Sequence, residues 1–199
     1  MTRELPISGL VLAGGAGRRM SGQDKGLQPL RGRPLVEWVV ERLRPQVAEV
    51  IVSANRNAER YATLGARVVP DQLPGFAGPL AGLQAGLAAA RHALLATVPC
   101  DCPLFPVDLV ERLAAALQQS GADVAVAKTG DQFHPVFCLC RRTVLPSVDA
   151  FLASGGRKME TWYGALAHVE VAFDDQPDAF ANLNTTQALR ALELKLKLP

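Results

Sequence analysis

The sequence contains no apolar run long enough to cross a membrane. Its longest apolar stretches, such as residues 7–13 and 93–98, fall well short of the roughly 18 residues that a membrane-spanning helix requires. The first stretch lies where a secretory signal would lie, but Glu4 and the glycines and arginines that follow the stretch do not fit such a signal. We interpret it as a β-strand and expect a cytoplasmic protein without a membrane segment.

A large excess of either charge is also lacking. The chain has 21 Lys and Arg against 19 Asp and Glu, a formal net charge of +2, and no block of five or more basic residues. This balance disfavours a dedicated nucleic-acid-binding protein. With 49% hydrophobic and 20% charged residues in 199, the composition is typical of a folded protein, and the length predicts a single domain over residues 1–199.

Cysteine is scarce, and its spacing is unusual for a metal site. The four cysteines form two CxC pairs, Cys100 with Cys102 and Cys138 with Cys140, whereas zinc sites typically use CxxC. A chain of this length does not need disulfides for stability. We expect four reduced thiols, and keep a redox protein that uses the CxC pairs as an alternative that metal analysis would test.

Short β-rich runs alternate with helical stretches in the first two thirds of the chain. The predicted strands are residues 7–13, 50–53, 67–69, 93–98 and 124–127. This alternation predicts an α/β, Rossmann-like fold, with a mostly parallel sheet covered by helices on both faces. The expected order of the first four strands in the sheet is 3-2-1-4.

Prolines mark where the predicted helices begin. Pro34, Pro79 and Pro106 each precede a helical pattern, as expected at the first position of a helix, and Gly121 lies just beyond the end of the third. We interpret residues 1–127 as a nucleotide-binding core. Residues 128–199 complete the sheet with edge strands and add part of a second substrate site, and their last element is a helix from Thr186.

The glycine-rich segment GLVLAGGAGRRMSGQDKG, residues 9–26, indicates an anion-binding loop. Glycines let backbone N–H groups approach phosphate oxygens, while Arg18, Arg19 and Lys25 supply positive charge. About twenty residues separate this strand from the next helix, far more than an ordinary turn needs, which favours a functional loop over a ligand. The segment lacks the GK[ST] of a P-loop and the complete GxGxxG of a dinucleotide-binding fold.

Two aspartates follow predicted strands at the edge of the sheet that should bind a ligand. Asp101 follows the fourth strand and should face the glycine-rich loop, where a carboxylate near phosphates favours a bridging Mg²⁺. The alternative is that Asp101 caps a helix near Pro103. Asp71 closes the third strand and could bind a guanine base or ribose hydroxyls, although a turn aspartate is the ordinary role of such a residue.

These segments resemble a known enzyme family. LAGGAGRRM followed by DKG is similar to the signature of nucleotidyltransferases with a nucleotide-diphospho-sugar transferase-like fold. Together with GPLAG at 78–82, PCDCP at 99–103 and NLNT at 182–185, it resembles the molybdenum cofactor guanylyltransferases over nearly the whole chain. The resemblance implies transfer of GMP from GTP to the terminal phosphate of molybdopterin, with Mg²⁺ as cofactor and pyrophosphate as the other product.

The resemblance also implies roles for individual residues. Residues that bind the guanine nucleotide would be Leu12, Ala13, Gly14, Gly15, Lys25, Asp71 and Asp101. Lys25 and Arg19 would surround the transferring phosphoryl group, and Asp101 would bind Mg²⁺. Asn182 and Asn184 are candidates for binding the acceptor. We expect a monomer whose partners are its two substrates and, transiently, other proteins of molybdenum cofactor synthesis or the molybdoenzymes that accept the cofactor.

Two positions of this chain depart from the family pattern. The sequence also leaves two other functions open. Ser53 stands where asparagine is expected, which shortens or replaces a polar contact, and Asp131-Gln132-Phe133 contains no arginine before His134, which we interpret as a structural histidine. One alternative is a related nucleotidyltransferase that uses CTP for a pterin or GTP for a sugar phosphate. The other is a non-catalytic nucleotide-binding module, against which Lys25 and Asp101 together argue.

Overall fold

The computed structural model describes residues 5–14, 24–73, 78–183 and 186–195. Its strands are β1 (Ile7–Leu12), β2 (Pro29–Leu30), β3 (Arg33–Pro34), β4 (Glu49–Ser53), β5 (Arg67–Val69), β6 (Leu94–Pro99), β7 (Val124–Thr129), β8 (Gln132–Arg141) and β9 (His168–Ala172). Its helices are α1 (Leu35–Leu43), α2 (Ala58–Ala62), α3 (Pro79–Ala89), α4 (Leu109–Ser120), α5 (Leu145–Ala153), α6 (Met159–Tyr163) and α7 (Thr186–Lys195). Within these ranges, no helix combines the length and the apolar character that a membrane span requires.

The main sheet has the order β5-β4-β1-β6-β8-β7-β9. Its first four strands are parallel and follow the predicted order 3-2-1-4, which is confirmed. Leu10 at the centre of β1 is fully buried, because helices cover both faces. One hydrophobic cluster includes residues of α1 and α4, and another includes residues of α3 and α5.

The prediction that the last third of the chain adds edge strands is wrong for β8. This strand is antiparallel to both neighbours and lies between β6 and β7. The physical reason is in its sequence, since Cys138, Leu139 and Cys140 are consecutive and fully buried, as expected of a strand covered on both faces. The β9 strand does lie at the edge of the sheet, and its residues alternate between exposed and half-buried.

Helix starts follow the prolines less closely than predicted. Pro79 is the first residue of α3, as expected. Pro34 instead occupies the position before α1, and α4 begins at Leu109, beyond Pro106. Gly121 ends α4 with a φ of 68°, a left-handed conformation that glycine adopts without steric cost.

A third cluster attaches the end of the chain to the rest of the fold. Leu189 and Leu192 of α7 pack with Leu183 against Leu30 and Leu35, which belong to the β2–β3 hairpin and α1. These contacts attach Leu183 and α7 to the hairpin and to α1.

Candidate active site

A cleft of about 350 Å³ opens at the carboxyl ends of β1 and β6. These two strands are parallel neighbours. Within the main sheet, the chain continues from β1 to β4 on one side and from β6 to β7 on the other, as expected at the ligand site of such a sheet. Six residues singled out in the sequence line this cleft together: Leu12, Ala13, Gly14, Lys25, Asp71 and Asp101. The structure thus places both predicted aspartates and the predicted lysine around one cavity.

Backbone hydrogen bonds extend the sheet beyond the strand ends and fix the floor of the cleft. The Ala13 N–H donates to the Ser53 carbonyl oxygen at 2.8 Å, and the Cys100 N–H donates to the Leu12 carbonyl oxygen at 3.1 Å. Since Gly14 and Asp101 follow Ala13 and Cys100 directly, their positions are set by this ladder. The observed strand β1 ends at Leu12, one residue before the predicted end at Ala13. Ala13 still makes a backbone hydrogen bond to Ser53 of β4.

Lys25 and Asp101 form an ion pair inside the cleft. The Lys25 Nζ atom lies 3.3 Å from Asp101 Oδ2, and the Asp101 side chain is 10% exposed. The α4 helix starts at Leu109, so the alternative that Asp101 caps a helix near Pro103 is wrong. Its side chain instead faces the cleft, where it can accept hydrogen bonds or bind a cation.

Asp71 is held by donors from the neighbouring strand end. Ser53 Oγ donates to Asp71 Oδ1 at 3.0 Å, and Asn55 Nδ2 donates to Asp71 Oδ2 at 2.7 Å. The Asn55 Oδ1 atom accepts in turn from the Asp71 N–H at 2.8 Å. Asp71 is therefore oriented by three hydrogen bonds, and Ser53 makes a polar contact despite being shorter than asparagine.

The absence of a side chain at Gly14 keeps this aspartate accessible. A Cβ atom at Gly14 would lie 3.1 Å from Asn55 Nδ2 and 3.5 Å from Asp71 Oδ2. Glycine at this position lets the backbone of the loop approach the Asp71–Asn55 pair, and a larger residue would press on it. The glycine in the LAGG motif therefore has a steric role next to the carboxylate.

The lining also includes Ser53, named above as a departure from the family pattern, and six residues for which no role in the site was predicted: Gly78, Pro79, Gly82, Pro99, Cys100 and Val136. The GPLAG motif supplied a signal for some of them. A Cβ atom at Gly82 would lie 2.5 Å from Leu12 Cδ2 and 2.8 Å from Ser53 Oγ. This glycine lets α3 pack directly against the ends of β1 and β4, so the start of the helix borders the cleft.

The residues present fit a magnesium ion that is shared with a substrate. The described part of the chain contains no cluster of three or more potential metal ligands. Mg²⁺ usually keeps several waters and is bound by one or two carboxylates together with substrate phosphates. A single carboxylate that faces the cleft, as Asp101 does, is suited to this mode of binding.

The predicted acceptor residues lie partly outside the described chain. Asn182 is exposed, and the next residue, Leu183, donates its N–H to the carbonyl oxygen of Asp101 at 2.9 Å. The segment that carries Asn182 is therefore attached to the residue that faces the cleft. Asn184, Arg19 and Gly15 lie outside the described residues.

His134 has a structural environment, as interpreted from the sequence. Its ring stacks on Phe180 with a centroid distance of 4.3 Å, and its Nε2 atom is 2.8 Å from Thr129 Oγ1. Burial lowers the pKa of His134 below its ordinary value, which favours a neutral ring at pH 7.

The cysteines do not support the redox alternative. All four are buried and free, and burial raises the pKa of each thiol, to about 11 for Cys138. Protonated thiols are poor nucleophiles and poor metal ligands. Cys100 and Cys138 instead pack in the hydrophobic clusters on the two faces of the sheet.

The sheet is mostly parallel, and one cleft at its edge combines a glycine-bearing strand end, a lysine and two oriented carboxylates. This combination is typical of a nucleotide-binding α/β enzyme. The chain belongs to the MobA-like NTP transferase domain family, whose model matches residues 9–170. It is therefore a nucleotidyltransferase, as the resemblance implied.

Curated relatives match over nearly the whole chain. A protein of Bordetella petrii named molybdenum cofactor guanylyltransferase is 50% identical over 196 residues, which cover 96% of this chain and 100% of the relative. A protein of Shewanella putrefaciens with the same name is 46% identical over 183 residues, 92% of this chain and 94% of the relative.

Solved structures show the same architecture. Molybdopterin-guanine dinucleotide biosynthesis protein A of Archaeoglobus fulgidus matches with a TM-score of 0.81 and 25% identity, covering 95% of this chain and 98% of that one. A 4-diphosphocytidyl-2C-methyl-D-erythritolsynthase of Anaerococcus prevotii has a TM-score of 0.73 at 13% identity, over 97% and 99% of the two chains. The latter match concerns the fold alone. The fold class predicted from the sequence is confirmed.

Proposed function

We propose that this enzyme transfers GMP from GTP to the terminal phosphate of molybdopterin and releases pyrophosphate. The observation that carries the proposal is the Lys25–Asp101 pair in the cleft at the ends of β1 and β6. In this pair, Lys25 is a cation that can bind the phosphates of a nucleoside triphosphate. Asp101 is an anion that can bind a divalent metal ion. The relatives that match nearly the whole chain are named molybdenum cofactor guanylyltransferases, and this name supports the guanylyl group and the kind of acceptor in the proposal.

In the proposed reaction, a phosphate oxygen of molybdopterin attacks the α-phosphorus of GTP in line. A new P–O bond forms as the bond to the β-phosphate breaks, and the electron pair leaves with pyrophosphate. A phosphate monoester is already ionised at pH 7, so the reaction demands no general base. Repulsion between two anionic substrates is the main barrier, and positioning together with positive charge offsets it.

Each charged residue of the cleft has a role in this proposal. The Lys25 ammonium binds phosphate oxygens of GTP and stabilises the charge that develops on the leaving pyrophosphate. The Asp101 carboxylate would bind Mg²⁺, which supplies a Lewis acid that neutralises phosphate charge. We expect Arg19 to add a second cation to the same group.

Asp71 gives the cleft a means to select the base or the ribose. An ionised carboxylate accepts hydrogen bonds and donates none, so it is complementary to the adjacent N–H donors of guanine or to a pair of ribose hydroxyls. Its three hydrogen bonds within the protein fix the direction of its remaining lone pairs. Cytosine and adenine do not present the same pair of donors as guanine.

A pyrophosphate-release assay with molybdopterin, Mg²⁺ and each of the four nucleoside triphosphates tests the proposal. We expect release with GTP to exceed release with ATP, CTP and UTP, and to need both the acceptor and Mg²⁺. A preference for CTP would replace guanylyl transfer with the cytidylyl alternative. Binding of all four nucleotides without pyrophosphate release would instead support the non-catalytic module.

A further inference from the structure

The turn that presents Lys25 to the cleft is attached to a separate part of the fold through Asp24. Lys25 begins the 3₁₀ turn Lys25–Leu27, and Asp24 precedes it at the N-cap position. The Gly26 N–H donates to Asp24 Oδ1 at 3.2 Å, which closes the turn locally. A local bond of this kind does not by itself determine where the turn lies relative to Asp101.

Two side chains of the α2 region complete the coordination of the same carboxylate. The Tyr61 hydroxyl donates to Asp24 Oδ1 at 2.6 Å, and Asn57 Nδ2 donates to Asp24 Oδ2 at 2.9 Å. Both oxygens of Asp24 are therefore occupied by donors from α2 and from the residue that precedes this helix. We name Asp24, Asn57 and Tyr61 the Asp24 anchor.

The backbone conformation and the side-chain contact of Asn57 indicate that this residue does more than precede α2. Asn57 occupies the N-cap position of α2 with a φ of 53°, yet its side chain makes no capping hydrogen bond to that helix. An asparagine at an N-cap normally accepts from the first turn of its own helix. Here the amide is directed to Asp24 instead, and the backbone is in a conformation that asparagine tolerates better than most residues.

Tyr61 is an uncommon residue to find fully buried, and its hydroxyl is matched to Asp24. Its side chain is 0% exposed, and a buried hydroxyl requires a hydrogen-bond partner. Burial raises the pKa of Tyr61 above its ordinary value, and the neighbouring Cys100 and the hydrogen bond to Asp24 raise it further. The hydroxyl therefore stays protonated and donates to the carboxylate.

Gly26 brings the anchored turn into contact with the residue before Asp101. A Cβ atom at Gly26 would lie 2.7 Å from Tyr61 Oη and 3.2 Å from Cys100 Cβ. Only hydrogen on this α-carbon allows the turn to lie between Tyr61 and Cys100. The turn thus lies between the Asp24 anchor and Cys100, and the Nζ atom of its first residue, Lys25, is 3.3 Å from Asp101 Oδ2.

We propose that Tyr61 and Asn57 are positioning residues for the transfer reaction, which act by holding Asp24 and thereby aim Lys25 at the phosphates of GTP. This inference rests on the proposed function of Lys25. It assigns a task to two residues that lie outside the lining of the cleft, and it explains why an aspartate precedes the lysine and a glycine follows it. The side chain of a lysine has many rotamers, so fixing its backbone reduces what must be ordered when GTP binds.

A double-mutant cycle separates positioning from general loss of structure. Tyr61→Phe removes one hydroxyl and keeps the ring, and we expect GTP affinity and kcat/KM to fall about fivefold, since misplacing a charged group weakens its contacts steeply. In the Lys25→Ala background, the same Tyr61→Phe change should have less than about a twofold effect, because Lys25 is the group through which it acts. Calorimetry with GTP and Mg²⁺ gives the affinities, and pyrophosphate release gives kcat/KM.

Two further variants control for damage to the fold. Tyr163→Phe alters the other tyrosine of the chain, which is also buried but packs in the cluster on the opposite face of the sheet, and it should leave both quantities unchanged. Asn57→Gly removes the second donor to Asp24, at a position whose φ glycine tolerates. GTP affinity and kcat/KM should fall about threefold, as expected for the loss of one hydrogen bond.

The outcomes distinguish the inference from the function on which it rests. Equal losses from Tyr61→Phe with and without Lys25, or wild-type values in both Tyr61→Phe and Asn57→Gly, would overturn the positioning role while leaving guanylyl transfer intact. Wild-type affinity and kcat/KM in Lys25→Ala would overturn the role of Lys25 itself, and the inference with it.

Discussion

The proposed nucleotide side of the site and its proposed acceptor side, the segment that carries Asn182, are built in different ways. On the nucleotide side, the carboxylates of Asp24, Asp71 and Asp101 each contact donors from other parts of the chain before any ligand binds. On the acceptor side, Asn182 is exposed, and its segment is attached through the Leu183–Asp101 backbone bond and a cluster of leucines. Partly buried polar networks orient the first side, whereas apolar packing supports the second.

This difference predicts that substitutions on the two sides will affect different substrates. Changes on the nucleotide side disturb groups that are pre-organised for charge, and should affect GTP binding and the chemical step together. Changes on the acceptor side should affect the second substrate and leave GTP binding alone. Single substitutions on each side, compared by their effects on GTP binding and on the second substrate, test whether the two sides act separately.

Asp101→Asn should have the largest effect. It keeps the shape of the side chain but removes the charge that pairs with Lys25 and would bind Mg²⁺. We expect kcat to fall by about 10² or more, which corresponds to at least about 2.7 kcal/mol of transition-state stabilisation. Asp131→Asn, at an exposed position in the turn between β7 and β8, removes the same charge as a control. Near-normal Mg²⁺-dependent turnover of Asp101→Asn would remove Asp101 from the metal site.

Lys25→Ala should lower kcat by about tenfold to a hundredfold and raise KM for GTP, because the ammonium contacts charge that grows in the transition state. Lys25→Arg keeps the charge and should restore part of the loss, since a planar guanidinium fits a single phosphate oxygen less well. Lys128→Ala, which breaks the surface pair with Glu170, is the matched control. If alanine at position 25 leaves kcat unchanged, Lys25 does not act in the chemical step.

Asp71→Asn should weaken GTP binding by about tenfold, since hydrogen bonds to a charged group are worth more than neutral ones. The new amide also places a donor opposite Ser53 or Asn55, both of which donate to Asp71. We expect the advantage of GTP over the other nucleotides in thermal-shift assays to shrink. Asp149→Asn, whose carboxylate accepts from Gln84, serves as a control. An unchanged nucleotide preference would show that Asp71 does not select the base.

Asn182→Ala should produce the smallest effect. It tests directly whether a change on the acceptor side leaves GTP binding unaffected. Loss of one or two neutral hydrogen bonds predicts about a fivefold rise in KM for molybdopterin. The affinity for GTP, measured by calorimetry, should stay at the wild-type value because Asn182 is not among the residues that line the cleft. A loss of GTP affinity with no change in KM for molybdopterin would place Asn182 on the nucleotide side instead.

The sequence predicted the part of the fold that local pattern and chain direction determine. Strand–helix alternation predicts a mostly parallel sheet, and the doubly wound pattern supplies the order of β5, β4, β1 and β6. That order places Asp101 opposite the glycine-bearing end of β1. The insertion of β8 between β6 and β7 was not predicted because its pairing with β6 joins residues far apart in the chain, such as Leu95 and Cys140. The continuous apolar run at Cys138–Leu139–Cys140 was the available sign of a central strand.

The site was predictable to the extent that strand ends determine it. Lys25, Asp71 and Asp101 meet in one cleft, as the topology and the resemblance together indicated. The partners of these residues were not predictable, because Asn55 reaches Asp71 and Tyr61 reaches Asp24 across gaps of 16 and 37 residues. Side-chain hydrogen bonds between separate elements leave no periodic signal in a single sequence.

The fate of each phosphate of GTP tests guanylyl transfer most directly. With molybdopterin and Mg²⁺ present, label at the α-phosphate of GTP should appear in a pterin–guanine dinucleotide, and label at the γ-phosphate should appear in pyrophosphate. The two products should form in equal amounts, and Asp101→Asn should lower the rate at which both form by the same factor. Release of the α-label as free GMP, or of the γ-label as inorganic phosphate with no dinucleotide formed, would contradict the account.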